Sequence, residues 1–191
     1  MKKNIIAVTL MLLLCIPGYA KDYYSGQNKV KANTFYYSVD ISMHDDRDEI
    51  WYFYLENSLN KLFKDFPYNK VTNDYCCVDV DWPLVYVRDV NEIKKLVKST
   101  LFKGENLSDF GLAGILVEFA HDPTNGLVKE VRFEIRPCGN KKILSIPPAR
   151  FEELEKKLIG KDFGVYIREE YKSITYTISG RYYFLATDEL K

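Results

Sequence analysis

The side chains of this 191-residue chain best suited to covalent or metal chemistry are four cysteines and two histidines. Cys15 lies in an apolar stretch near the start, and Cys76, Cys77 and Cys138 lie in the body of the chain. A nucleophilic cysteine needs a histidine base in reach and a third group to orient it. Neither His44 nor His121 stands in a recognisable Cys/His signature, so structural or oxidised cysteines are the simpler reading. Neighbouring residues of a strand project to opposite faces, so only one of Cys76 and Cys77 can face Cys138 across a core. That bridge would close a loop of about 60 residues and contribute roughly 4 kcal/mol in the chain-entropy description. Three small buried side chains account for the same residues without a bond. No C-x-x-C or Cys/His ligand spacing occurs, which disfavours zinc.

The acidic run His44, Asp45, Asp46, Asp48 and Glu49 could offer oxygen ligands to a hard cation, but it lacks the alternating Asp/Asn pattern and glycine of a calcium loop. A helix start, where acidic side chains meet the positive end of the dipole, accounts for it without metal. No G-x-S-x-G elbow, phosphate-cradling glycine loop or H-E-x-x-H helix is present. No cofactor is expected. The feature above the ordinary is aromatic content, 15% of the chain. Tyr36, Trp82 and Tyr183 fall on polar phases or loops, as do Tyr23 and Tyr24, and exposed aromatic rings anchor partners or stack on sugars. Tyrosine also suits strands simply because its ring packs while its hydroxyl stays wet.

These residues must be positioned by a folded body. Residues 1–20 carry Lys2 and Lys3, an apolar run Ile5–Ile16, and Pro17-Gly18-Tyr19-Ala20 with small residues where a signal peptidase reads. A secretory signal peptide cleaved near Ala20 is expected, of bacterial type, which places the remainder in the periplasm or outside the cell. The run is too short to span a bilayer, and Leu14 before Cys15 argues against lipidation. Three cysteines in an oxidising compartment allow at most one internal disulfide. The formal charge of zero removes the basic footprint that nucleic acid or an anionic membrane requires.

Lys21 to Asn33 is polar and without period and reads as a flexible lead-in to a single domain over 34–191. Phe35, Tyr37, Val39 and Ile41 alternate with polar residues as a half-buried strand does. Trp51, Leu55, Leu59, Leu62 and Phe66 recur at helical spacing, so a helix is expected over 46–65, with a strand at Trp51–Leu55 as the competing reading. Tyr75 to Arg88 suggests two short strands or one bent edge strand. A second helix is expected over 89–103, with Asp89 and Glu92 forming a capping box. Strands flank the turn at 122–126, where Asn125-Gly126 is a strong hairpin signal. A third helix is expected over 147–159 behind Pro147 and Pro148, with Glu152–Lys156 and Glu153–Lys157 as surface pairs. A last strand over 174–184 should bend at Gly180. Together these describe an α+β fold, a mainly antiparallel sheet with about three helices in a two-layer sandwich.

The segment Gly114-Ile115-Leu116-Val117-Glu118-Phe119, followed by Asn125-Gly126-Leu127-Val128-Lys129-Glu130-Val131, is similar to the hairpin of the C-terminal domain of TonB-type energy transducers. The resemblance covers Asn91–Phe184 and implies that domain's order of helix, hairpin, helix and strand, with no activity attached. With no catalytic set, the expected function is a secreted or periplasmic, non-catalytic module binding a protein or peptide, less readily a glycan, at a sheet edge. The alternative is a small hydrolase or glycan-acting enzyme built on two carboxylates.

Overall fold

A computed structural model describes residues 21–44, 50–64, 68–69, 74–75, 85–167, 169, 172–174 and 177–185. Among these residues, ten strands and two α-helices follow one another. They are β1 (Lys29–Lys31), β2 (Tyr36–His44), β3 (Ile50–Asn57), β4 (Tyr68–Asn69), β5 (Asp74–Tyr75) and β6 (Val85–Val87). Helix α1 (Val90–Leu101) precedes β7 (Gly114–His121) and β8 (Val128–Arg136). Helix α2 (Pro148–Leu158) precedes β9 (Val165–Ile167) and β10 (Thr177–Leu185).

One six-stranded sheet has the order β1-β2-β3-β8-β7-β10, and each neighbouring pair is antiparallel. Its inner face carries Tyr37, Val39, Phe53, Leu55, Ile115, Val117, Phe119, Val131, Phe133 and Ile135, all buried. Ile93, Val97 and Leu101 of α1 and Phe151, Leu154 and Leu158 of α2 complete the same core. Among the described residues the α+β expectation is met with two helices rather than three. Among the described residues no helix is long and apolar enough to cross a membrane.

The missing helix is the one expected over 46–65. Ile50–Asn57 is a strand, paired with β2 from Tyr37↔Asn57 to His44↔Ile50. Nearly every residue from Ile50 to Leu55 is apolar or aromatic, so any period finds support there, and the aromatic preference for a pleated surface decides. The helical stripe fails one step later, because Leu59 is 69% exposed. There Asn57 accepts the Leu59 N–H on its side chain and the Asn60 N–H on its backbone carbonyl, ending the strand in an Asx turn.

Residues 21–33 are likewise built into the domain rather than loosely attached to it. Tyr24 is fully buried, its hydroxyl donates to the Ile146 carbonyl at 2.6 Å, and its ring meets Phe151 edge-on. Five residues later β1 pairs with β2. The polar composition that suggested a lead-in concealed one large apolar anchor.

Other expectations hold with changed detail. Helix α1 starts at Val90, but Asp89 makes no side-chain cap bond. The hairpin turn runs over 122–127, with the Asp122 N–H donating to the Leu127 carbonyl and Gly126 at φ +75°. Asn-Gly therefore closes a longer turn rather than forming a two-residue one. The register of β10 against β7 shifts between Ser179 and Tyr182, a bulge at the expected glycine.

Candidate functional site

Strand register sorts the expected binding residues. Even-numbered positions of β2, β3 and β8 lie on the sheet face away from the core, since Ser38 pairs with Glu56, Asp40 with Tyr54, and these with Arg132 and Glu134. Tyr36 belongs to this row and is 42% exposed, with the Lys29 ammonium 4.6 Å from its ring centroid. Tyr183 is in register with Leu116, which shares the same face. Two of the three expected residues thus fall on one face, near opposite edges of the sheet. Trp82 lies outside the described residues.

Sequence reading missed the residues between them because it assigned Tyr52 and Tyr54 to a helix. Arg132 sits in register between Glu56 of β3 and Glu118 of β7, bonds Glu118, and lies 4.7 Å from the centroid of Phe63. Arg136 bonds Glu134 and lies 4.7 Å from the ring of Tyr52. Each guanidinium therefore has a carboxylate and an aromatic face, an arrangement that holds it flat against the sheet. The face closes toward β7, where Leu116, Glu118 and Glu134 are buried, and opens toward β2, where Tyr36 and Asp40 are exposed. Two ion pairs, Arg132–Glu118 and Arg136–Glu134, lie on this face.

The open end is also a sheet edge. Strand β1 pairs only with Tyr36, Tyr37 and Ser38, three residues of the nine in β2. One further bond runs from the Val39 N–H to the Asn28 carbonyl. From Asp40 to His44, no described strand pairs with the outer side of β2. Ile41, expected to be buried by its phase, is 40% exposed there, because β1 ends before reaching it.

The buried acids serve another purpose. Glu152, expected on the surface, has its side chain only 1% exposed. It accepts the Asn33 and Thr34 backbone N–H groups and the Thr34 hydroxyl, and pairs with Lys156. Burial alone would raise its pKa, but the bonds from Lys156, Thr34 and Asn33 outweigh it and bring the value down to about 2. Glu155, one helical turn on, accepts from the Tyr37 hydroxyl at 2.6 Å and from Asn57 Nδ2 at 2.8 Å. Desolvation dominates there and raises its pKa. These carboxylates clamp the β1–β2 turn and the end of β3 onto α2 and offer no access to a substrate.

His121 is fully buried at the end of β7, with Nδ1 3.0 Å from the Gly126 carbonyl, and burial lowers its pKa to about 4. Cys138 is half-buried in the turn after β8, at φ +46°. His121 pairs with Val128 at one end of the hairpin, and Cys138 follows Arg136 at the other, about 25 Å of strand away. They cannot act together. Cys76, Cys77 and Asp45–Glu49 lie outside the described residues, and among the described ones no group of three His, Cys, Asp or Glu is placed to hold a metal ion.

The class these features define is an α+β domain whose described residues form a six-stranded antiparallel sheet and two α-helices that share one hydrophobic core. No family profile and no curated protein matches the sequence. Among solved structures, the fold is similar to a DUF5043 family protein from Bacteroides uniformis. The TM-score is 0.63 at 19% identity, covering 85% of this chain and 93% of that one. At that identity the likeness concerns the fold alone.

Proposed function

We propose that the chain is an exported, non-catalytic binding module that takes an extended segment of a protein or peptide along the outer edge of β2. In this reading residues 1–20 are a cleaved signal peptide, and the two helices and the sheet form a two-layer sandwich with the binding edge at one side. The observation that carries it is the mismatch between β1 and β2: three paired residues against nine. A strand edge presents a row of N–H and C=O groups ready to pair, and side chains beside it supply selectivity. Tyr36, Asp40 and Ile41, all exposed, stand along that row. The carboxylates set beside Arg132 and Arg136 on the sheet face favour a protein over a polyanion.

The hydrolase alternative finds no support in the buried acids, since Glu152 and Glu155 are each 1% exposed and bonded to the fold. The test is an array of extended hexapeptides rich in β-branched residues, read with the wild type and with Tyr36→Ala and Ile41→Pro. Selective binding that both variants weaken at least tenfold is the expected result. Failure of every peptide to bind, or binding that ignores both variants, would refute the reading.

A further inference from the structure

Backbone polarity along β2 alternates in a way the hydrogen bonds fix. The Tyr36 carbonyl accepts from Ser58 N–H, beside β3, whereas Val39 N–H donates outward to Asn28, the residue before β1. In an antiparallel ladder these directions repeat every second residue. The N–H and C=O of Ile41 and Met43 therefore point to the open edge, past the end of β1.

Edge strands are normally blunted by shortness, by lysines, by proline or by a bulge. Strand β1 has two of these, since it is three residues long and carries Lys29 and Lys31. The open stretch of β2 has neither proline nor lysine, and its register with β3 runs unbroken from Tyr37 to His44. At 40% exposure, Ile41 adds apolar surface where a blunted edge would place charge.

Resting on the strand-addition reading, we propose that the occupant of this edge is a second copy of the chain, its β2 running antiparallel and centred on Ser42. The residues Asp40-Ile41-Ser42-Met43-His44 are complementary to their own reverse. Centring on Ser42 sets Ile41 opposite Met43, Asp40 opposite His44, and Ser42 opposite itself. An apolar residue is then matched with an apolar one, and an aspartate with a histidine. Ile41 and Met43, whose backbone polar groups face outward, become the hydrogen-bonded pairs, and Ser42 becomes the close non-hydrogen-bonded pair on the two-fold axis. The pairing stops at Val39, whose outward N–H is already given to Asn28. Five residues, about 17 Å of strand, make a small interface and hence a weak dimer.

Sedimentation equilibrium of the chain from about 5 to 500 μM tests this, together with oxidative cross-linking. The expected result is a monomer–dimer equilibrium in the wild type, weakened at least tenfold in Ile41→Lys and in Ile41→Pro. Ile41→Lys leaves every backbone donor in place and keeps the test valid if the proline variant misfolds. The Ser42→Cys variant should form a disulfide between its two introduced thiols on mild oxidation, identified by mass spectrometry against the wild type, while Asp40→Cys should not link to itself. A chain that stays monomeric at 500 μM, with no cross-link in the Ser42→Cys variant, overturns self-pairing. If that same chain binds hexapeptides on the array, strand addition stands and only the identity of the partner is wrong; if it binds none, both fall.

Discussion

The Tyr37 hydroxyl donates to Glu155 Oε2 at 2.6 Å inside the core, joining β2 to α2 through two groups that are each essentially without solvent. Asn57 supplies the second bond, to Oε1. Desolvation raises the carboxyl, the two neutral donors offset only part of that, and the acids Glu152 and Glu130 raise it further. The fold therefore favours the protonated form of Glu155, and each unit by which the pKa rises corresponds to about 1.4 kcal/mol. Stability from this group is greatest below the unfolded value of 4.5 and is lost as pH rises through the folded value. Glu155→Gln, which keeps the shape and removes the charge, should raise Tm at pH 7 by about 2–4 °C per kcal/mol recovered. The gain should shrink as pH approaches 4.5. Thermal denaturation of variant and wild type across that range measures it, and a lower Tm for the variant at pH 7 would contradict the argument.

Glu152 has the opposite sign. Its folded pKa of about 2 lies below the unfolded 4.5, so its contribution is present above pH 4.5 and disappears as pH falls toward 2. A glutamine can accept on one oxygen only, whereas the carboxylate serves two backbone N–H groups and a hydroxyl. Glu152→Gln should cost about 2–3 kcal/mol, charge-assisted bonds being worth about 1.5–3 kcal/mol each. The Asn33 and Thr34 amides should exchange with solvent faster in the variant. Unchanged exchange at both would show that the turn is held by something else.

His121 is buried neutral, and its drop from 6.5 to about 4 is worth about 3 kcal/mol of stability. Because the folded value is depressed, that stability is present above pH 6.5 and is lost as pH falls toward 4. His121→Phe, which cannot charge, should flatten this part of the pH–stability curve while costing the bond to Gly126. Denaturant titrations at pH 7 and pH 4.5 give the comparison; equal wild-type-minus-variant differences at the two pH values would refute it.

What the sequence made legible follows from how many signals agreed at each place. At Gly114–Arg136, alternation, turn chemistry and strand propensity point the same way, and both strands lie where expected. Helix α2 was equally clear, with Pro148 at its start and Phe151, Leu154 and Leu158 buried. At Ile50–Asn57 an almost continuous aromatic run satisfied two periods, and only pairing with β2 and β8 decides between them. The aromatic face was hidden by the same ambiguity, since Tyr52 and Tyr54 join Tyr36 only once that segment is a strand. The edge itself could not be seen, because no local pattern states how far β1 runs along β2. Glu152 and Glu155 looked like ordinary helix-surface acids; their donors, Thr34, Tyr37 and Asn57, are about 100 residues away in sequence.

Tyr24 tests whether the first residues of the described chain belong to the domain. Its ring is fully buried against Phe151, its hydroxyl donates to Ile146, and the neighbouring Tyr23 N–H donates to the Leu144 carbonyl. Truncating a large buried aromatic leaves a cavity and removes its transfer energy, about 3–5 kcal/mol. Tyr24→Ala should therefore lower global stability by that amount and loosen β1, which pairs with β2. Tyr24→Phe removes the hydroxyl alone and should cost about 1 kcal/mol. Chemical denaturation distinguishes the two variants, and hydrogen exchange at Val30 follows the strand. A flexible lead-in would give no loss with either, and a Tyr24→Ala protein as stable as the wild type would return residues 21–33 to that description.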